Sequence, residues 1–322
     1  YKRQAHVAVA LTDLRGRVLA WNEAGHPVRE DPEGTRQLIS ELGDACLARW
    51  GGGTGRLVGA GIAVPSPVDP ARPRVLSEVA LPAWRGRDWL GDLEVRYGVP
   101  VRVDNDANLG ALAERWWGAG LGIDDFVYLK VATGIGAGQI VRGEIYRGAT
   151  GIAGEVGHLV IDPLGPPCPC GLDGCLTTLV GSRALIQSAA ALIREHPEST
   201  LAGEELTVDA IVNAALAGDP IARQVVHEAA EHLGIAVAGM VSMLNPALVI
   251  VGGGLSRVGD LLLDPLRDVI GRRSLITSVA GTEVRASNLG EQATALGAAT
   301  LVLEAALENP RLFPQPQTVR SR

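Results

Sequence analysis

The feature that most restricts how this chain can fold is a short cysteine cluster. Cys168, Cys170 and Cys175 fall within eight residues, ten positions after His158. The intervening segment carries Pro163, Gly165, Pro166, Pro167, Gly171 and Gly174. Three closely spaced thiols cannot pair off among themselves, and Cys46 stands far upstream. Proline and glycine let a short segment fold back without a hydrophobic core of its own. Three thiolates and one imidazole are the donor set of a closed tetrahedral site, which selects zinc and leaves no open position for catalysis. The expected cofactor is therefore a structural Zn²⁺ held by His158, Cys168, Cys170 and Cys175. The competing reading is three buried thiols beside an ordinary surface histidine.

Around that loop, apolar strands alternate with helical patterns. Strands are expected at 6–11, 17–21, 58–64, 99–103, 126–132, 137–142 and 249–251. Helices are expected at 34–50, 109–117, 182–195, 208–217, 219–244 and 291–308. This alternation predicts an α/β fold with ligand groups at strand ends, and the strand-hairpin-then-helix order of both halves predicts two related lobes around a cleft. A 322-residue chain that is 47% hydrophobic can fill such cores and is not intrinsically disordered. Its formal net charge of −7 argues against a broad nucleic-acid patch on these residues. No apolar run of about 18 residues occurs and no signal-like segment opens the chain, so a cytoplasmic location without membrane contact is expected.

Two further groups carry chemistry. Asn105, Asp106 and Asn108 follow the strand at 99–103, and Glu155 and His158 lie in Gly154-Glu-Val-Gly-His158. Such side chains hydrogen-bond vicinal hydroxyls in pairs, and Asp106 could take a proton from an attacking hydroxyl. Equally, Asp106 could simply cap the helix that follows. Thr133-Gly-Ile-Gly136 and Gly252-Gly-Gly254 each follow an apolar strand, where Gly134, Gly136, Gly253 and Gly254 would let backbone N–H groups approach a phosphate. Glycine turns also arise for steric reasons alone.

Gly61 to Asp69, Leu81 to Trp84, Gly98 to Asn108, Thr133 to Gly136, Gly151 to His158, Cys168 to Cys175 and Leu244 to Gly254 together resemble the ROK family of bacterial sugar kinases and sugar-responsive transcriptional regulators. The resemblance covers nearly the whole chain. It implies a two-lobed actin/hexokinase-like (ribonuclease H-like) fold: an N-terminal lobe of residues 1–108 plus 292–309, a C-terminal lobe of 109–291 with the zinc loop, and a flexible tail at 310–322. It implies sugar contacts from Asn105, Asp106, Glu155 and His158, with Asp106 as catalytic base if the protein is a kinase using ATP and Mg²⁺. It also implies a homodimer or tetramer.

Three departures from the kinases stand out. The phosphate-wrapping Asp-x-Gly-x-Thr of the family would occupy Tyr1-Lys-Arg-Gln-Ala5, and none of its residues is present. Thr177 stands where the family has a sugar-contacting Glu, and Ala80 where Asn is frequent. The chain also begins abruptly in its first strand, without the helix-turn-helix domain that precedes this portion in the regulators. Together these favour the effector-binding (sugar or phosphosugar) and oligomerisation region of a ROK-type regulator, a repressor that would contact DNA only through an upstream domain. A ROK glucokinase or N-acetylhexosamine kinase is the alternative.

Overall fold

The computed structural model describes residues 6–76, 80–86, 89–273 and 281–314. The residues aligned with the phosphate loop, Tyr1 to Ala5, and the last part of the tail lie outside them. The chain divides into two compact units: one runs to Leu109 and resumes at Thr294, and the other is Gly110–Ala293.

In the first unit, β1 (His6–Thr12) and β2 (Val18–Gly25) form an antiparallel hairpin. Its turn is set by Asp13, whose Oδ1 accepts the N–H groups of Arg15 and Arg17, both at 2.9 Å. Helix α1 (Pro32–Trp50) starts two residues before the apolar pattern does, because Asp31 caps it by accepting from Gly34 N and Pro32 fits the first turn. Strand β3 (Ala60–Val64), helix α2 (Trp89–Tyr97) and strand β4 (Val101–Asn105) follow. β3 and β4 pair in parallel, Val64 opposite Asn105. Val64, Val68, Leu81, Trp84, Leu90 and Val103 form the core of this unit. Helix α3 (Asp106–Trp117) begins directly at the end of β4.

The second unit is built on a five-stranded sheet. β5 (Phe126–Val131), β6 (Ile135–Val141) and β7 (Glu144–Ile145) are antiparallel neighbours. The connection from β7 then supplies α4 (Leu176–Val180), α5 (Ser182–Glu195), α6 (Val208–Ala217) and α7 (Pro220–Leu244). β8 (Leu248–Gly252), α8 (Asp260–Arg273) and β9 (Glu283–Ala286) complete the order β7-β6-β5-β8-β9, with β8 parallel to both β5 and β9. Alternation along β5 and β8 explains their uninterrupted apolar sequences. Val127, Leu129, Val131, Val249 and Val251 enter one core with α5, α6, α7 and α8, whereas Phe126, Tyr128, Leu248 and Ile250 enter a second with Ala111 and Ile140.

Helix α9 (Ala293–Glu308) returns to the first unit. Its backbone lies against β3 because Gly61 has no side chain: a Cβ there would fall 1.8 Å from the Ala298 carbonyl oxygen.

Helices α2 and α8 and strand β9 are not apparent in the apolar periodicity. α8 carries Pro265 in its interior, yet Leu262, Leu263, Leu266, Val269 and Ile270 are buried on one face. Packing on α7, where Gly234 makes room for Val269, settles the helix that the proline obscures.

Candidate functional site

The cysteine-rich loop is assembled by backbone hydrogen bonds on a scaffold of glycines. Gly154 has φ +92, and a Cβ there would lie 1.9 Å from the Ala137 carbonyl oxygen. At Gly157 the corresponding distance to the Ile135 oxygen is 2.1 Å. These two positions seat the 3-10 turn Val156–His158 directly on β6, and Ala137 N donates to Gly154 O at 2.9 Å. Glu155 is the N-cap of that turn and His158 its last residue. Beyond it, Ile161 N donates to Gly174 O (2.9 Å), Leu176 N to Leu159 O (2.9 Å) and Cys168 N to Leu172 O (2.8 Å). The result is a small knuckle that delivers Cys175 to the start of α4.

The donor atoms of His158, Cys168, Cys170 and Cys175 all lie within 4.8 Å of one another. Cys168 Sγ is 3.5 Å from His158 Nδ1, and Cys170 Sγ is 3.6 Å from Cys175 Sγ. A tetrahedron with metal–sulfur bonds of about 2.3 Å has edges of about 3.8 Å, so the four donors fit a closed tetrahedral site. Nδ1 is the ring nitrogen committed to the cluster, which leaves Nε2 for a second partner. The thiols are unequal. The Leu172 backbone N–H, helped by the neighbouring thiols and His158, holds Cys170 down to about 7. Burial, and then the adjacent thiols, push Cys175 up to about 12. A divalent cation would deprotonate both.

In the first unit, Asn105 and Asp106 sit where β4 passes into α3. The structure overturns the capping reading of Asp106. Asn105 Oδ1 accepts from Ala107 N (2.9 Å) and Asn108 N (3.2 Å), so Asn105 is the cap and Asp106 is the first helical residue. Asn105 Nδ2 donates to Ser66 O at 3.2 Å, tying the end of β4 to the end of its parallel neighbour β3. Below it, Asp104 Oδ1 accepts from Asn105 N (2.7 Å) and Asn108 Nδ2 (3.2 Å), with Asp104 and Asn108 each 2% exposed. Asn108 Oδ1 is buried and has no hydrogen-bond partner among the described residues. Ser66, between two prolines at a strand end, was the legible signal for this network that the sequence reading passed over.

The glycine segments lie at the carboxyl ends of adjacent parallel strands. Gly134 turns the chain after β5, where a Cβ would stand 3.5 Å from Thr177 Oγ1, and Ser182 N at the start of α5 donates to Ala132 O at 3.0 Å. Gly253 follows β8 with φ +96, and a Cβ there would meet the Val131 oxygen at 1.9 Å. Gly254 opens the 3-10 turn Gly254–Val258. Gly136 is not in a turn: it is a strand residue of β6 paired with Lys130. Close packing is sufficient reason for Gly253, while Gly134 and Gly254 meet nothing closer than 3.5 Å.

The model of the ROK family matches residues 4–305. The chain belongs to the ROK family. Both of the family's branches are among its relatives. It is 32% identical to the xylose repressor of Caldicellulosiruptor bescii over 95% of this chain and 77% of that protein. It is 34% identical to the glucokinase of Halalkalibacterium halodurans over 84% of each. A crystal structure of a ROK glucokinase from Streptomyces griseus with glucose and AMPPNP superimposes with a TM-score of 0.82 at 33% identity, covering 92% of this chain and 96% of that one. The fold is accordingly the kinase-like actin/hexokinase α/β fold of ROK proteins. Among the described residues no helix is long and apolar enough to cross a membrane.

Proposed function

We propose that this ROK chain binds a small sugar through Asn105, Asp106, Glu155 and His158, and serves as the effector-binding and oligomerisation region of a transcriptional regulator. The observation that carries the sugar-binding part is the Val156–His158 turn: it brings Glu155 and His158 together at its two ends, and the His158 ring lies beside the thiol cluster at Nδ1. Carboxylate and imidazole held together in this way suit a pair of adjacent hydroxyls. The resident cation is Zn²⁺ in this reading, and when bound it supplies a fixed centre that holds the imidazole in one tautomer and orientation. The protein's own groups do the rest. Glu155 accepts from hydroxyls, and His158 Nε2 offers the opposite role.

Regulation is favoured over phosphoryl transfer by Tyr1-Lys-Arg-Gln-Ala5, which stands in place of Asp-x-Gly-x-Thr. A side chain at the motif's glycine position, where Arg3 stands, would obstruct a phosphate that must approach backbone N–H groups. The sugar then acts by favouring one conformation of a homodimer or tetramer over another, a bias of about 1–3 kcal/mol in ordinary allostery. DNA contact would belong to a region outside these residues, consistent with their net charge of −7.

A sugar kinase is the second reading, and a specific observation favours it. Because Asn105 does the capping, the helix does not need the Asp106 carboxylate as its cap, and the Gly134 and Gly253-Gly254 turns stand at adjacent strand ends where ATP with Mg²⁺ could be held. Thermal unfolding and calorimetry with xylose, glucose and N-acetylglucosamine, each with and without ATP and Mg²⁺, separate the two. A regulator shows a rise in midpoint with one sugar and no product; a sugar at about 100 times its Kd adds about 2.7 kcal/mol. Formation of sugar phosphate that disappears in Asp106→Asn would establish the kinase instead. Silence with every sugar removes both readings.

A further inference from the structure

The metal loop leaves one of its sulfurs in solvent. Cys168 and Cys175 are buried, whereas Cys170 is exposed. The turn that carries Cys170 also aims it. Gly171 and Gly174 both adopt left-handed backbone, at φ +95 and +66, and Gly171 N donates to Cys168 O at 3.0 Å. Residues 171–174 therefore double back, and Cys170 Sγ comes to rest 3.6 Å from Cys175 Sγ. Cys168 Sγ lies 3.5 Å from His158 Nδ1 and within 4.8 Å of both other sulfurs, but like Cys175 it is buried, so Cys170 is the thiol an oxidant meets first. Two sulfurs this close can bond once side-chain rotation brings them to the S–S length of about 2.05 Å. One is open to small oxidants and the other is shielded from them.

We propose that Cys170 and Cys175 form an oxidation site at which a hydroperoxide closes a disulfide and expels the bound cation. The Cys170 thiolate attacks one peroxide oxygen. The O–O bond breaks, hydroxide leaves and is protonated to water, and Cys170 becomes a sulfenic acid. The Cys175 thiolate then attacks the Cys170 sulfur, forming the S–S bond as the S–O bond breaks and a second hydroxide leaves as water. Two thiolates, one hydrogen peroxide and two protons give one disulfide and two waters; the sulfurs lose the two electrons that the peroxide gains. Cys168 and His158 remain, too few donors for a closed tetrahedral site. The His158 ring thereby loses its anchor. The cation-release half of this proposal rests on the zinc reading above, and the pairing of the two sulfurs does not.

The test uses the full chain loaded with zinc, treated with hydrogen peroxide in the presence of a chromogenic zinc chelator, and followed by intact mass and peptide mapping. One zinc released per chain, a loss of about 2 Da and a Cys170–Cys175 linked peptide, all reversed by dithiothreitol, is the expected result. Cys170→His preserves four nitrogen or sulfur donors, so it should still take up zinc and release it at least about tenfold more slowly under peroxide. Zinc release at the wild-type rate from Cys170→His, or a linkage through Cys168 or Cys46 instead, overturns the proposal. A chain that takes up no zinc refutes the metal reading alone; peroxide then decides the pairing, which stands if the Cys170–Cys175 peptide forms and falls if it does not.

Discussion

Two buried carboxylates in the second unit show how opposite local environments produce opposite pH behaviour. Glu114 is fully buried in α3, where its Oε2 accepts from Ala119 N at 2.8 Å and its Oε1 from the Ser287 hydroxyl. Burial raises its pKa above the ordinary carboxylate value, and the Ser287 and Ala119 hydrogen bonds pull the other way without cancelling it. A raised folded-state pKa means folding favours the protonated form. Its contribution is complete below the unfolded value of about 4.3 and is lost as pH rises through the folded value. Glu114→Gln brings its own hydrogens, so its unfolding midpoint at pH 8 should equal or exceed that of the native protein. Glu114→Ala should lose about 2–4 kcal/mol by leaving a buried N–H and hydroxyl unpaired. Thermal melts from pH 4 to 8 check both. Asp219 is the reverse case. Burial raises its pKa, but N–H groups of Ala222 and Thr200 and the hydroxyls of Thr200 and Ser199 outweigh it and leave it lowered. That contribution is present above the unfolded value of about 3.9 and is lost as pH falls through the folded value. Asp219→Ala should cost about 1–3 kcal/mol at pH 7 and less under acid, measured by denaturant unfolding. Neither role can be read from residue type. Asp219 before Pro220 is visible as a cap, but its bonds to Ser199 and Thr200 join residues about twenty positions apart.

At the scale of elements, glycines decide which backbones can touch. In α9, a Cβ at Gly297 would lie 1.7 Å from the Leu109 carbonyl oxygen in α3. Thr294 Oγ1 also reaches the Asp106 oxygen at 3.5 Å, so the two helices meet at their N-terminal turns. Gly297→Ala should therefore destabilise the protein by about 1–3 kcal/mol despite improving helix propensity, whereas Gly239→Ala in α7, where a Cβ meets nothing within 4 Å, should be neutral or stabilising. Paired thermal melts distinguish packing from propensity. The same physics explains which elements were legible beforehand. β5, β8 and α7 are long, apolar and buried on most sides, so periodicity and composition announce them. α2 and β9 are short, and α8 holds a proline, so their existence depends on the surfaces they pack against.

At the scale of the molecule, the His158, Cys168, Cys170 and Cys175 cluster lies in one compact unit, as do both glycine turns, while Asn105 and Asp106 belong to the other. Stripping the cation with a strong chelator should therefore raise hydrogen exchange across residues 159–178, around the bridge between Val160 and Cys175, and leave β3 and β4 unchanged. Mass spectrometry under native conditions should show about one zinc per chain before treatment and none after it. Uniform exchange increases in both units would contradict this placement of the site. The amino-acid sequence by itself determined the family, the α/β class and the His158, Cys168, Cys170 and Cys175 cluster that the fold brings together, because these depend on residue chemistry and on short-range periodicity. Only the tertiary structure decided that Asn105 rather than Asp106 caps α3, that Gly136 is a strand residue, that Cys170 alone among the clustered thiols faces solvent, and that Glu114 is buried against Ser287. The Asn105 cap is local, made to the N–H groups of Ala107 and Asn108, and is fixed by where β4 ends; the other outcomes turn on packing or burial set by other segments of the chain, which spacing and composition do not encode.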